Sequence, residues 1–137
     1  MSGIRFSVRA MNFVSIRMIT EDVKRLVGFY EQATGVQATW YTDDFAELGT
    51  PTATLAIAST RTVSPGVVDT GTNRNVIVEF LVDDVDVLFE KLAGHEFVLE
   101  PTTMPWGNRS LLLRDPDGSL VNFFTPVTPA AKQKLGR

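Results

Sequence analysis

A chain with one histidine and no cysteine has few routes to covalent or metal chemistry. Without cysteine there is no thiol nucleophile, no thiolate metal site and no disulfide framework. His95 alone cannot complete a Ser–His–acid triad. None of GxGxxG, GxxxxGKS, GxxxxGKT, GxSxG or HExxH occurs, so nucleotide-binding and hydrolase readings lack support. What remains is a set of charged and aromatic side chains. Arg17, Glu47, Glu79 and Arg109 can orient a polar ligand or match its charge, and a glutamate can serve as a base. Trp40, Phe45 and Trp106 can stack a flat ligand, because aromatic faces offer large contact area at low entropy cost. Arg17 and Glu79 stand 62 residues apart. That spacing leads to the elements that must position them.

The same 62-residue offset relates two stretches of sequence. Residues 14–22 read VSIRMITED and residues 76–84 read VIVEFLVDD, each a strand closing on an acidic residue. Val23, Leu26, Val27 and Tyr30 follow the first, and Val85, Leu88, Phe89 and Leu92 the second. Both sets have the i, i+3, i+4, i+7 spacing of a one-faced helix. Asp22 and Asp84 are natural N-caps, and Gly35 and Gly94 mark helix ends where a positive φ is needed. Three short strands are expected after each helix, near 36–42, 44–49 and 52–59, then near 96–103, 108–114 and 119–125. Asp115-Pro116-Asp117-Gly118 is a strong turn signal, and Gly49-Thr50-Pro51-Thr52 is its weaker counterpart. The expectation is one α+β domain over 1–137, made of two tandem βαβββ modules at about 12–59 and 75–126. Residues 60–74 form a polar linker between them. The tail from Thr128 reads either as a short capped helix or as a frayed terminus.

Bulk composition excludes several partners. The chain has 137 residues, 44% of them apolar and 21% charged, with a net charge of −3. A nucleic-acid-binding surface needs clustered Lys and Arg, and no basic stripe occurs, so no nucleic acid is expected. The first 13 residues carry no long apolar run, so neither a signal peptide nor a membrane span is read there, and a cytoplasmic location is the default.

Phe29-Tyr30 late in the first helix, Val82-Asp83-Asp84-Val85 opening the second, and Trp106-Gly107 followed by Leu113-Arg114-Asp115-Pro116-Asp117-Gly118-Ser119-Leu120 resemble the vicinal oxygen chelate superfamily, the glyoxalase, bleomycin-resistance and dioxygenase type. The resemblance spans roughly residues 12–126. It implies a curved, cup-shaped sheet with helices outside and a ligand inside, and a homodimer. It also maps the four metal-ligand positions of the family onto Ser15, Ala56, Ile77 and Asn122. A divalent ion needs several lone-pair donors converging at about 2 Å, and this set cannot supply them. No metal and no cofactor is therefore expected. His95, in the turn after the second helix, is read as a surface residue.

By alternation, the residues facing the cup are Ser15 and Arg17, Phe45 and Glu47, Ala56 and Ala58, Ile77, Glu79 and Leu81, and Leu120, Asn122 and Phe124. Small residues at 54, 56 and 58 would leave room for a ligand. Arg17 and Glu79 either form a salt bridge with each other or orient a polar or zwitterionic ligand. Trp40 and Trp106 either rim the pocket or seal a core or dimer contact. Arg109 pairs with a ligand anion or with Asp43 or Asp44. The leading functional reading is a metal-free protein that binds a small organic molecule, such as an antibiotic or other aromatic natural product. The alternatives are a metal-independent isomerase or lyase with a cup carboxylate as base, and a non-catalytic paralogue with a structural or regulatory role.

Overall fold

The computed structural model describes residues 11–135. Chain order is β1 (Ser15–Thr20), α1 (Val23–Thr34), β2 (Thr39–Thr42), β3 (Phe45–Gly49), β4 (Thr54–Ser59), β5 (Ile77–Leu81), α2 (Val85–Lys91), β6 (Phe97–Thr103), β7 (Asn108–Arg114), β8 (Leu120–Pro126) and α3 (Pro129–Lys134). The fold is α+β, with two βαβββ modules in tandem. No described helix is long and apolar enough to cross a membrane.

Local signals place the helix ends. Asp22 accepts from the Arg25 amide at 3.2 Å, and Asp84 accepts from the amides of Asp86 and Val87 at 3.0 and 3.3 Å. Gly35 takes φ +73° and closes α1 by donating its N–H to the Glu31 carbonyl. The second helix stops at Lys91, before Gly94, and a turn carries the chain on to β6. The tail forms a short helix, capped by the Thr128 hydroxyl with Pro129 at its start.

The eight strands of the described residues make two open sheets, ordered β1-β4-β3-β2 and β5-β8-β7-β6, so among them β1 and β5 are each a sheet edge. Within each module the first strand runs parallel to the last, which requires the helix as crossover. One face of each sheet is covered by its helix. Met18, Ile57 and Ala46 lie on that face of the first sheet, and Val78, Val121, Leu113 and Phe97 on that face of the second.

Both covered faces share one core. Leu26, Val27 and Tyr30 of α1 and Leu48 and Ile57 of the first sheet belong to the same cluster as Val85, Leu92, Leu111, Val121 and Phe123. Tyr30 is the crossing point. Its ring lies 6.2 Å from Phe80, whose ring stacks on Phe123 at 5.3 Å, and Phe29 meets His95 edge-on at 5.9 Å. His95 is therefore half-buried at the module junction rather than a free surface turn residue.

The Tyr30 hydroxyl donates to Asp115 Oδ2 at 2.7 Å, and both residues are buried. Asp115 Oδ1 accepts from the amides of Asp117 and Ser119, which pins the turn carrying Gly118 at φ +90°. Burial raises the Asp115 carboxyl above the usual carboxylate range, against the lowering effect of those three donors. Burial and the adjacent carboxylate raise the Tyr30 phenol as well. Another constraint holds the β6–β7 turn. Gly107 has φ +97°, donates to the Met104 carbonyl, and accepts from the amides of Val127 and Thr128. A Cβ at this position would collide with the Thr128 hydroxyl.

Three outcomes follow from these contacts. Tyr30→Phe leaves a buried carboxylate oxygen without its donor and should cost about 1–3 kcal/mol in urea denaturation. Because the folded Asp115 carboxyl sits above its ordinary value of 3.8, its proton-linked stability is complete below that pH and is lost as pH rises through the folded value. Raising pH through that window should shift the stability difference between wild type and Asp115→Asn in favour of the variant, and a pH-independent difference would contradict this. Gly107→Ala combines a disfavoured φ with a steric clash and should cost roughly 2–4 kcal/mol; an unchanged Tm would contradict the turn geometry.

Candidate functional site

The strand registers assign each candidate residue to a face. On the face of the first sheet turned away from α1, one row reads Arg17, Ala56, Glu47, Thr39 and the next Ile19, Ala58, Phe45, Thr42, with Ser15 beside Thr54. On the corresponding face of the second sheet, the rows read Ile77, Leu120, Arg114, then Glu79, Asn122, Leu112, then Leu81, Phe124, Ser110. Ser15, Arg17, Phe45, Glu47 and Ala56 thus share one open face, and Ile77, Glu79, Asn122 and Phe124 share the other.

Trp40 and Arg109 do not belong to this set. Trp40 pairs with fully buried Ala46, which puts it on the helix side of edge strand β2. An irregularity between Trp40 and Thr42 brings Tyr41 to the open face instead. The Tyr41 hydroxyl donates to Glu47 Oε1 at 3.0 Å, and its ring meets Phe45 at 5.9 Å. That hydrogen bond to the carboxylate raises the Tyr41 phenol. Strict alternation missed Tyr41, since a bulge shifts parity without leaving a composition signal. Arg109 pairs with Thr125 in register and points to the helix side, where Asp86 of α2 receives it at 2.8 and 3.0 Å. It is engaged with neither Asp43 nor Asp44; Asp44 is the partner of Arg61. The hydrogen bonds from Arg109 and Arg61 hold the Asp86 and Asp44 carboxyls below their ordinary range.

Arg17 and Glu79 do not pair with each other. Among the described residues the ion pairs are Arg61–Asp44 and Arg109–Asp86. Glu79 Oε2 instead accepts from Asn122 Nδ2 at 2.8 Å, its parallel-strand neighbour. Asn122 Oδ1 is buried and has no donor among the described residues. The opposite amide orientation would set that oxygen against the carboxylate, so the hydrogen bond to Glu79 fixes the amide.

Space for a ligand is not where the small residues suggested. Ala56 and Ala58 are 3% and 0% exposed, so the middle of the first open face offers no hollow. Trp106 is 64% exposed on its locked turn and lines none of the cavities described below. Room exists where β1 and β5 face each other. A groove of about 360 Å³ runs between Ser15, Ile16, Leu48 and Leu55 on one side and Ile77, Glu79, Phe80 and Leu81 on the other. A smaller cavity of about 240 Å³ lies beyond it, against Arg17, Leu26 and the linker residues Val68, Asp69 and Asn73. Ile16 and Val78, which are repeat equivalents, line both. A cleft of about 550 Å³ at the start of α2 holds more charge. There Asp86 and Arg109 satisfy each other, and Asp84 caps the helix.

The residues present do not fit a metal. Ala56 and Ile77 have no donor atom, Ser15 is neutral, and Asn122 has committed its amide to Glu79. No three His, Cys, Asp or Glu side chains converge among the described residues.

Comparison with known proteins agrees with this architecture. The family model described as Glyoxalase/Bleomycin resistance protein/Dioxygenase superfamily matches residues 12–123. A glyoxalase/bleomycin resistance protein/dioxygenase from Nocardioides is similar at 22% identity and TM-score 0.71, covering 87% of this chain and 85% of that one. A family enzyme of the same description from Burkholderia phytofirmans PsJN is similar at 18% identity and TM-score 0.71, covering 82% and 97%. TioX from Micromonospora sp. ML1 is similar at 24% identity and TM-score 0.67, covering 85% and 100%. No curated protein matches the chain. With the repeat, the paired sheets and a family model spanning residues 12–123 in agreement, this chain belongs to the Glyoxalase/Bleomycin resistance protein/Dioxygenase superfamily.

Proposed function

We propose that this protein binds a small organic molecule, without a metal, in the groove between its two modules. The groove itself carries the reading: about 360 Å³ at a module junction, with mostly apolar walls and one carboxylate. That is the usual form of a small-molecule site. The donor set at the four family positions supports a metal-free mode. Membership of a superfamily named in part for bleomycin resistance supports an antibiotic or other aromatic natural product as ligand class. Ser15, Ile77 and Glu79 contact the ligand in this reading, while Trp106 and Trp40 take no part.

A second copy of the chain is the proposed protein partner. Met11, Phe13, Val14, Ile16, Val76 and Ile77 form an exposed apolar strip along and beside the β1 and β5 edges. Unpaired edges with such side chains favour association.

Two measurements check these proposals. Calorimetric titration with neutral 2-naphthylmethanol should show saturable binding that Ile77→Trp weakens at least tenfold and Trp106→Ala leaves unchanged. Loss of binding in Trp106→Ala alone would move the site to the turn. Light scattering should find a dimer that Phe13→Asp converts to monomer, whereas a monomeric wild type would remove the proposed partner.

A further inference from the structure

We infer that the groove selects an apolar organic cation, whose ammonium or amidinium N–H groups bond to the free oxygen of Glu79. This rests on the reading of the groove as a ligand site and names the chemistry that site would recognise.

Among the described residues Glu79 is the one charged residue in the groove lining, which otherwise comprises apolar side chains, Ser15, Thr34 and a threonine-rich β3–β4 turn. Glu79 is an exposed residue of the groove lining, and the buried Asn122 of β8 holds one of its carboxylate oxygens, Oε2. Oε1 has no hydrogen-bond donor among the described residues, and no Lys or Arg of those residues is ion-paired to Glu79. Arg17, the nearest candidate by strand position, lines the smaller cavity on the far side of Ile16 together with Asp69, Asp115 and Asp117.

The consequences for a ligand are asymmetric. A cation with an apolar body fills the groove and compensates the carboxylate as water is expelled, through a charge-assisted hydrogen bond. A neutral ligand of the same shape desolvates Glu79 with less in return, and an anion is repelled. The chain's net charge of −3 steers encounter in the same direction.

The test compares three naphthalenes of one shape by calorimetry: 2-naphthylmethylammonium, neutral 2-naphthylmethanol and anionic 2-naphthoate. The ammonium should bind at least tenfold tighter than the alcohol, the carboxylate should bind most weakly, and the preference should shrink as salt is raised. Glu79→Gln should abolish the preference, bringing the ammonium and the alcohol to equal affinity, with an unaltered Tm showing that the variant is folded. Glu47→Gln, on the other sheet, should leave all three affinities as they are. Equal binding of ammonium and alcohol, or undiminished ammonium binding in Glu79→Gln, would overturn cation selectivity. In that case, continued loss of alcohol binding in Ile77→Trp would leave the groove reading standing. Absence of binding by both compounds would overturn both.

Discussion

The two modules are held as one body by a core that neither could form alone. Tyr30 leaves α1 of the first module, lies against Phe80 of the second, and hydrogen-bonds a buried aspartate in the β7–β8 turn. A fully buried tyrosine needs an acceptor, and Asp115 is tolerable inside only because three donors surround it. The edges of β1 and β5 are placed by this junction. Their separation and the groove between them follow from it.

Repeat symmetry is kept in the backbone and broken in the side chains. Ile16 and Val78 occupy equivalent positions and border both cavities at the junction. One step along each strand, the same equivalence puts an arginine in one module and a glutamate in the other. These two do not neutralise each other, because Asn122 engages Glu79 and Arg17 lines the opposite cavity. The result is a largely apolar groove whose one charged lining residue, among the described residues, is Glu79. The first sheet, by contrast, spends its polar side chains internally, with Tyr41 on Glu47.

Much of this was legible from residue order. The apolar spacing after Asp22 and Asp84 marked both helices, and alternation assigned most open-face residues, because a strand with one covered face must keep parity. Three features were not legible. The irregularity in β2 exchanged Trp40 for Tyr41, and nothing in Trp-Tyr-Thr signals a lost step. Strand parity puts Arg109 on the helix side with Leu111 and Leu113, but its partner there, Asp86, is an acid 23 residues away whose proximity is created by folding. The open space between the modules also lay elsewhere than the small residues suggested. Small side chains on a central strand are readily buried by their neighbours, whereas a groove between two strand edges depends on how the modules dock, which no local pattern encodes.

Methyl-resolved NMR of the isoleucine, leucine and valine side chains, titrated with 2-naphthylmethanol, tests the central claim most directly, since it reports where a ligand sits. The account predicts shifts concentrated at Ile16, Leu48, Leu55, Ile77 and Leu81, the two walls of the groove. Shifts confined to Val85 and Val127, at the cleft by the start of α2, would contradict it.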